Sequence, residues 1–303
     1  MKLGLHSAIL AQSTFEDVID TASRIGYTAV EIVCWPAGKA ERRYAGVTHI
    51  DVTALDEQRC REINHYAKDR KVTIAALGYY PNPLDPNTDH SEMAIGHIRK
   101  VIEAAALLGV NKVSTFIGKD KTKSIEENLV LFEKVWKPII EFAEEKKVWV
   151  GIENCPMYFT PDEWPGGLNL ASSPHIWKKM FETFDSPYFG LTYDPSHLYF
   201  QGMDCVRPIY EFKDRIRHIH IKDIRIFRDK LDEHGIFTAP LDYMAPKLPG
   251  LGGIDWSAFT SALYDIGYEG AACVEVEDRA FEETEEDRMR AVELSFRYMS
   301  QFI

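Results

Sequence analysis

A chain of 303 residues with 45% hydrophobic and 27% charged side chains has the make-up of a globular protein, large enough for two ordinary domains or one α/β barrel, and excludes a disordered or fibrous one. The formal charge of -12 leaves no sign of the basic face that phosphate backbones demand, so nucleic acid is not an expected partner. Five cysteines, Cys34, Cys60, Cys155, Cys205 and Cys273, are odd in number, scattered and free of C-x-x-C spacing, which fits a reducing cytoplasm better than a disulfide framework or a thiolate zinc site.

The opening residues MKLGLHSAIL reach His6 too soon for a signal h-region, and no run of about 18 apolar residues occurs, so neither secretion nor a membrane is expected. Short apolar runs then recur: KLGLH (2–6), AVEIV (29–33), VTIAALG (72–78), KVSTF (112–116), VWVGIE (148–153), FGLTYD (189–194), IRHIHI (216–221) and AACVEV (271–276). These are eight candidate strands. Between them lie helical patterns such as FEDVIDTASRIG (15–26), EMAIGHIRKVIEAAALLG (92–109) and WSAFTSALYDIG (256–267), each closed by a glycine.

Helices separating strands imply right-handed crossovers and a parallel sheet. Eight such units, with a last helix near 284–302, predict a (β/α)8 barrel, a TIM barrel, as a single domain over 1–303. A doubly wound sheet would have fewer strands and a glycine-rich nucleotide turn, and neither G-x-G-x-x-G nor G-x-x-x-x-G-K-[ST] is present. Residues 154–173 and 223–254 read as two loops longer than a barrel needs, both following strands, where such folds build active sites.

In IRHIHIKD (216–223) strand alternation puts His218, His220 and Lys222 on one face and Ile219 and Ile221 on the other. The apolar face is covered, so the polar row meets solvent, a ligand or a metal. Acidic and imidazole side chains terminate neighbouring strands as well. Glu153 ends the fifth, Asp194 the sixth, His220 the seventh and Glu275 the eighth, all converging on one mouth. Three carboxylates and one imidazole make a hard, oxygen-rich site that suits Mn²⁺ or Mg²⁺, with Co²⁺ or Zn²⁺ as alternatives.

A lone carboxylate at a strand end is more often a helix cap or an ion-pair partner. Four residues that agree in position, and whose carboxylates would be costly to bury together without a cation, point to one divalent metal. His218, lower in its strand, reads as a hydrogen-bonded structural residue. Lys222, one strand pitch above His220, is placed to donate to a substrate oxygen or to pair with Glu275 or Asp194.

As an ordered set, GIEN (151–154), YDPSHL (193–198), HIHIKD (218–223), LPGLGGIDW (248–256) and VEVED (274–278) resemble the sugar phosphate isomerase/epimerase superfamily of xylose-isomerase-like barrels, with its ketose 3-epimerases and inosose dehydratases. The resemblance implies that Glu153, Asp194, His220 and Glu275 bind one divalent ion, Mn²⁺ foremost. It implies a sugar as the small-molecule substrate, with Glu153 and Glu275 as acid and base on opposite faces of an enediolate. His197 matches the family's substrate-binding histidine, or braces Glu153. Where relatives have an arginine before L-P-G this chain has Lys247, without the bidentate fork, which leaves the substrate open.

His6, Trp35 and Tyr158 complete the candidate substrate contacts. With Tyr79, Tyr80, Trp164 and Tyr199, these aromatics either stack on a sugar or anchor their loops. The insertion 224–245 offers a lid or a subunit contact, compatible with a homo-oligomer, dimer or tetramer. An isomerase or epimerase is the leading reading and a lyase or dehydratase the alternative, since one enediolate serves both. An abasic-site endonuclease would need extra histidines that ALGYYPNP and STFIGKD lack. Lys119, Lys121 and Lys123 alternate before a helix and read as solvated rather than as a phosphate site.

Overall fold

The computed structural model describes residues 1–38, 44–158 and 167–303. Among them eight parallel strands close into a barrel: β1 (Lys2–His6), β2 (Ala29–Val33), β3 (Thr73–Gly78), β4 (Lys112–Thr115), β5 (Trp149–Glu153), β6 (Phe189–Tyr193), β7 (Ile216–Ile221) and β10 (Ala271–Val274), the last pairing with β1. Between β7 and β10, β8 (Asp223–Ile226) and β9 (Met244–Lys247) form a separate antiparallel hairpin. The helices are α1 (Phe15–Ile25), α2 (Glu57–Asp69), α3 (Thr88–Leu108), α4 (Ile125–Lys146), α5 (Pro174–Thr183), α6 (Ser196–Tyr199), α7 (Arg207–Glu211), α8 (Arg228–His234), α9 (Trp256–Asp265) and α10 (Glu285–Met299).

Local chemistry explains the boundaries. Thr14 with Asp17 and Ser124 with Glu127 make reciprocal capping boxes that satisfy the first free N–H groups of α1 and α4. Gly26 ends α1 at φ 115°, a conformation that costs any residue with a Cβ. The strands are buried on both faces and mostly apolar, because side chains fill the interior while helices cover the outside. Phe132 and Trp136 of α4 meet Phe189 of β6 with ring centroids 6.1 and 6.2 Å apart. Trp136, Trp177 and Trp256 are fully buried, and truncating any one to alanine would cost about 3–5 kcal/mol.

The stretch 223–254, expected as loop, instead contains the β8–β9 hairpin and α8. Pro246 has no N–H to give, yet the hairpin accepts it because a two-stranded ribbon consists of edge strands. The buried Asp223 carboxylate anchors the hairpin's base. It accepts the N–H groups of Ile224 (2.8 Å), Gly250 (2.9 Å), Gly253 (3.0 Å) and Ile254 (3.1 Å), and the indole N–H of Trp256 (2.9 Å). The segment PGLGGIDW is thereby tied to the end of β7. Among the described residues no helix is long and apolar enough to cross a membrane, and all five cysteines are free.

Candidate metal centre

The C-terminal ends of β5, β6, β7 and β10 bring Glu153, Asp194, His220 and Glu275 together, each offering one ligand atom within 4.8 Å of the others. Glu153 and His220 lie in their strands, whereas Asp194 and Glu275 stand one residue beyond β6 and β10. Asn154 holds the rim in shape: its amide donates to Asp194 O and accepts from Asp194 N, both at 2.8 Å. Asn169 adds bonds to the carbonyls of Glu153 (2.9 Å) and Cys155 (2.7 Å).

Glu153 Oε1, Asp194 Oδ2 and His220 Nδ1 are buried and have no hydrogen-bond partner of good geometry among the described residues. His220 Nδ1 faces Glu153 Oε1 at 3.3 Å and Glu275 Oε2 at 3.5 Å. Buried ligand atoms this close together and without well-formed hydrogen bonds fit a hard divalent cation, which suits three carboxylates and one imidazole. A cleft of ≈ 50 Å³ above them, bounded by His6, Trp35, Tyr80 and Glu277, has room for an ion and a few water molecules.

Lys222 is the cation within the cluster. Its Nζ lies 2.8 Å from Glu275, 3.1 Å from Asp194, 3.3 Å from Glu277 and 3.9 Å from Glu153. Burial works to lower its pKa, but these carboxylates raise it well above the ordinary lysine value. Burial likewise works against ionised Asp194, yet Lys222 and His197 hold its carboxyl at about 2. Burial pushes Glu275 up, helped by Glu153 and Glu277 and opposed by Lys222. Glu153 is held well below the usual range, since His220 and His197 outweigh its burial.

The other expected residues divide. His197 Nε2 stands 3.2 Å from Asp194 and 3.4 Å from Glu153, the bracing arrangement expected, and is not among the residues that line the cleft. His6 and Trp35 border the cleft. Lys247 sits beyond it, bonded to Asp278 at 2.8 Å. Tyr158 and Tyr199 pack against Phe200, Ile224, Tyr243 and Met244 near the hairpin. Tyr79 is buried edge-on to Trp35, and Tyr80 reaches the cleft. Trp164 lies outside the described residues. Lys123 is tied to Asp120, and Lys119 is about half buried.

Two acidic residues escaped the sequence analysis. Glu277 adds a carboxylate to Lys222. Glu31 of β2 lies fully inside the barrel, bonded to His218 and His220. Its signal was one charge at the centre of AVEIV, where a strand buried on both faces has no place for an unpaired carboxylate. His218 is the structural residue expected, lying outside the four-residue cluster.

Eight parallel strands closed into a barrel and alternating with helices define a TIM barrel, here with acids and an imidazole gathered on its C-terminal rim. The model of the xylose isomerase-like TIM barrel family matches residues 19–299, and the chain belongs to that family. It is 26% identical over 308 residues to the uncharacterized protein YfiH of Bacillus subtilis strain 168, covering 92% of this chain and 93% of that one. Inosose dehydratase of Clostridium tetani is 27% identical over 162 residues, 53% of each chain, so that match spans about half of either protein. Among solved structures, the IOLI protein with a bound zinc atom superposes with a TM-score of 0.72 at 18% identity, over 100% of this chain and 99% of that one. D-psicose 3-epimerase of Clostridium cellulolyticum H10, solved with D-tagatose, gives 0.71 at 15%, over 100% and 99%. At such identities the two structures speak for the fold.

Proposed function

We propose that the protein is a divalent-metal-dependent isomerase or epimerase of a sugar or sugar derivative, working by proton transfer at the carbon beside a carbonyl. The observation that carries this reading is the convergence of four ligand atoms within 4.8 Å at the barrel mouth, three of them without hydrogen-bond partners. Glu153, Asp194, His220 and Glu275 would hold the ion, Mn²⁺ by the hardness of the donor set. When bound, it supplies Lewis acidity that polarises a carbonyl and the adjacent hydroxyl.

The chain's own groups do the rest. Glu275, the more open of the two glutamates, takes the proton from carbon, and Glu153, after picking up a proton from solvent, returns it on the opposite face. Lys222 donates to a substrate oxygen, and His197 orients Glu153 and Asp194 from the side. The match to inosose dehydratase supports a second reading. If the substrate carries a β-hydroxyl, Glu153, reloaded with a proton from solvent, protonates it, water leaves, and a double bond forms to the carbon that Glu275 deprotonated.

The test is turnover of keto-sugars and inososes by the Mn²⁺-loaded protein in D₂O, read by NMR. For an epimerase, deuterium should enter the carbon next to the carbonyl with every hydroxyl retained; for a dehydratase, that carbon should lose its hydrogen and the neighbouring carbon its hydroxyl. Label arriving instead from a nicotinamide donor would overturn both readings.

A further inference from the structure

The proton-transfer scheme leaves Glu31 without a task, although three features of the barrel are arranged around it. Its Oε2 accepts from Nε2 of His218 at 2.6 Å and from Nε2 of His220 at 2.8 Å, while Tyr80 donates its hydroxyl to Oε1. His6 Nε2 stands 3.4 Å from Oε1. The strand register shifts at both ends of this contact: between Val30 and Glu31 in the β2–β3 pairing, and between Leu191 and Thr192, the partner of His218, in the β6–β7 pairing. Such irregularities re-aim single side chains. Gly78 of β3 leaves the carboxylate its space, since a Cβ there would come within 2.5 Å of Glu31 Oε1.

We propose that Glu31 is the positioning residue of the metal centre: by accepting the Nε2–H of His220 it selects the ring tautomer and aims Nδ1 at an ion shared with Glu153, Asp194 and Glu275. This rests on the metal-centre reading above. An ionised carboxylate only accepts, so the ring nitrogen facing it carries the hydrogen and the opposite nitrogen presents its lone pair. Nδ1 is that nitrogen, and it faces Glu153 and Glu275. His6, Glu31 and His220 are also close enough to hold an ion by themselves. An ion there would take His220 through Nε2, displace hydrogen bonds already made to Glu31, and meet a single carboxylate, against three on the Nδ1 side. The β2 side is therefore a brace for the ligand, and the ion belongs on the other side.

Metal-stripped protein titrated with Mn²⁺, and with Co²⁺ for its visible ligand-field bands, tests the assignment. Wild type should bind one equivalent. Glu31→Gln should bind one equivalent about 10- to 100-fold more weakly and with altered Co²⁺ bands, because an amide can present N–H to the ring and favour the other tautomer. Tyr27→Phe, which removes a buried hydrogen bond to Val292 O just before β2 and away from the site, should stay close to wild type; a loss as large as that in Glu31→Gln would mean general loosening and overturn the role. Unchanged affinity and bands in Glu31→Gln overturn it too, provided His220→Ala loses binding. If His220→Ala and Asp194→Asn both keep full binding, the metal-centre reading itself is wrong. A measurement on wild type needs no variant to fold: with ¹⁵N-labelled histidine, Zn²⁺ should shift Nδ1 of His220 and leave Nε2 protonated, and the reverse pattern sinks the proposal.

Discussion

Lys222 and Glu275 form a 2.8 Å ion pair inside the rim, so a carboxylate chosen as a metal ligand already faces a buried ammonium. Asp194 shares that ammonium at 3.1 Å. The lysine and the proposed ion would therefore be alternative sources of positive charge for one group of acids.

Replacing Lys222 with methionine should destabilise the metal-free protein by about 3–5 kcal/mol, the usual cost of leaving buried charges without their partner. Saturating Mn²⁺ should shrink the deficit, because the ion restores the missing charge and binds only the native state. Thermal unfolding of both proteins with and without Mn²⁺ reads the difference. An equal deficit in both conditions would mean that lysine and ion do not share these carboxylates.

Acid stability of the metal-free protein should depend on Asp194. Burial opposes its ionisation, but Lys222 and His197 depress its pKa from 3.8 to about 2. A depressed carboxyl stabilises the fold only while ionised. Its contribution, on the order of 2 kcal/mol, is present above about pH 4 and is lost as pH falls through about 2. Urea unfolding at about pH 6 and about pH 3 should show a smaller acid penalty in Asp194→Asn than in wild type. Equal slopes would contradict the assignment.

Asp223→Ala should be among the most damaging single changes outside the ligand set. It would leave the N–H groups of Gly250, Gly253 and Ile254 and the indole of Trp256 without their acceptor. Each buried donor without a partner costs about 1–3 kcal/mol, with water recovering part of it. Asp223→Asn should do little better, since its NH₂ meets donors. Chemical denaturation gives the loss, and a variant within about 1 kcal/mol of wild type would show that the loop holds itself.

Glu275→Gln, at saturating Mn²⁺, should bind substrate and lose most turnover, because an amide cannot take the proton. Deuterium exchange at the carbon beside the carbonyl should change on one substrate face only. Full wild-type exchange would move the base to another residue.

The barrel was legible because each strand is an apolar run followed by a helical period, a pattern that burial on two faces imposes. The clustering of four polar residues was legible for a related reason: Glu153, Asp194, His220 and Glu275 each interrupt such a run at its C-terminal end. Glu31 interrupts AVEIV in the middle, where its partners His218 and His220 come from a strand far along the chain, and short-range patterns carry no trace of that pairing. The β8–β9 hairpin was missed because DIRI and MAPK are short, widely separated and, in the second case, contain a proline. Lys247, a candidate substrate contact by the sequence, bonds Asp278, a contact that depends on how the hairpin folds back.

That hairpin separates the length of a connection from its placement. Its register sets Asp223 opposite Lys247, so the chain leaves and rejoins the barrel at one spot whatever lies in the tip, 227–243. Tips of other sizes and chemistry could be grafted onto the same stem while Asp223 keeps its grip on the glycine-rich segment and His220 keeps its aim. Substrate preference could then diverge at the tip through insertion and exchange, leaving the reacting groups below untouched.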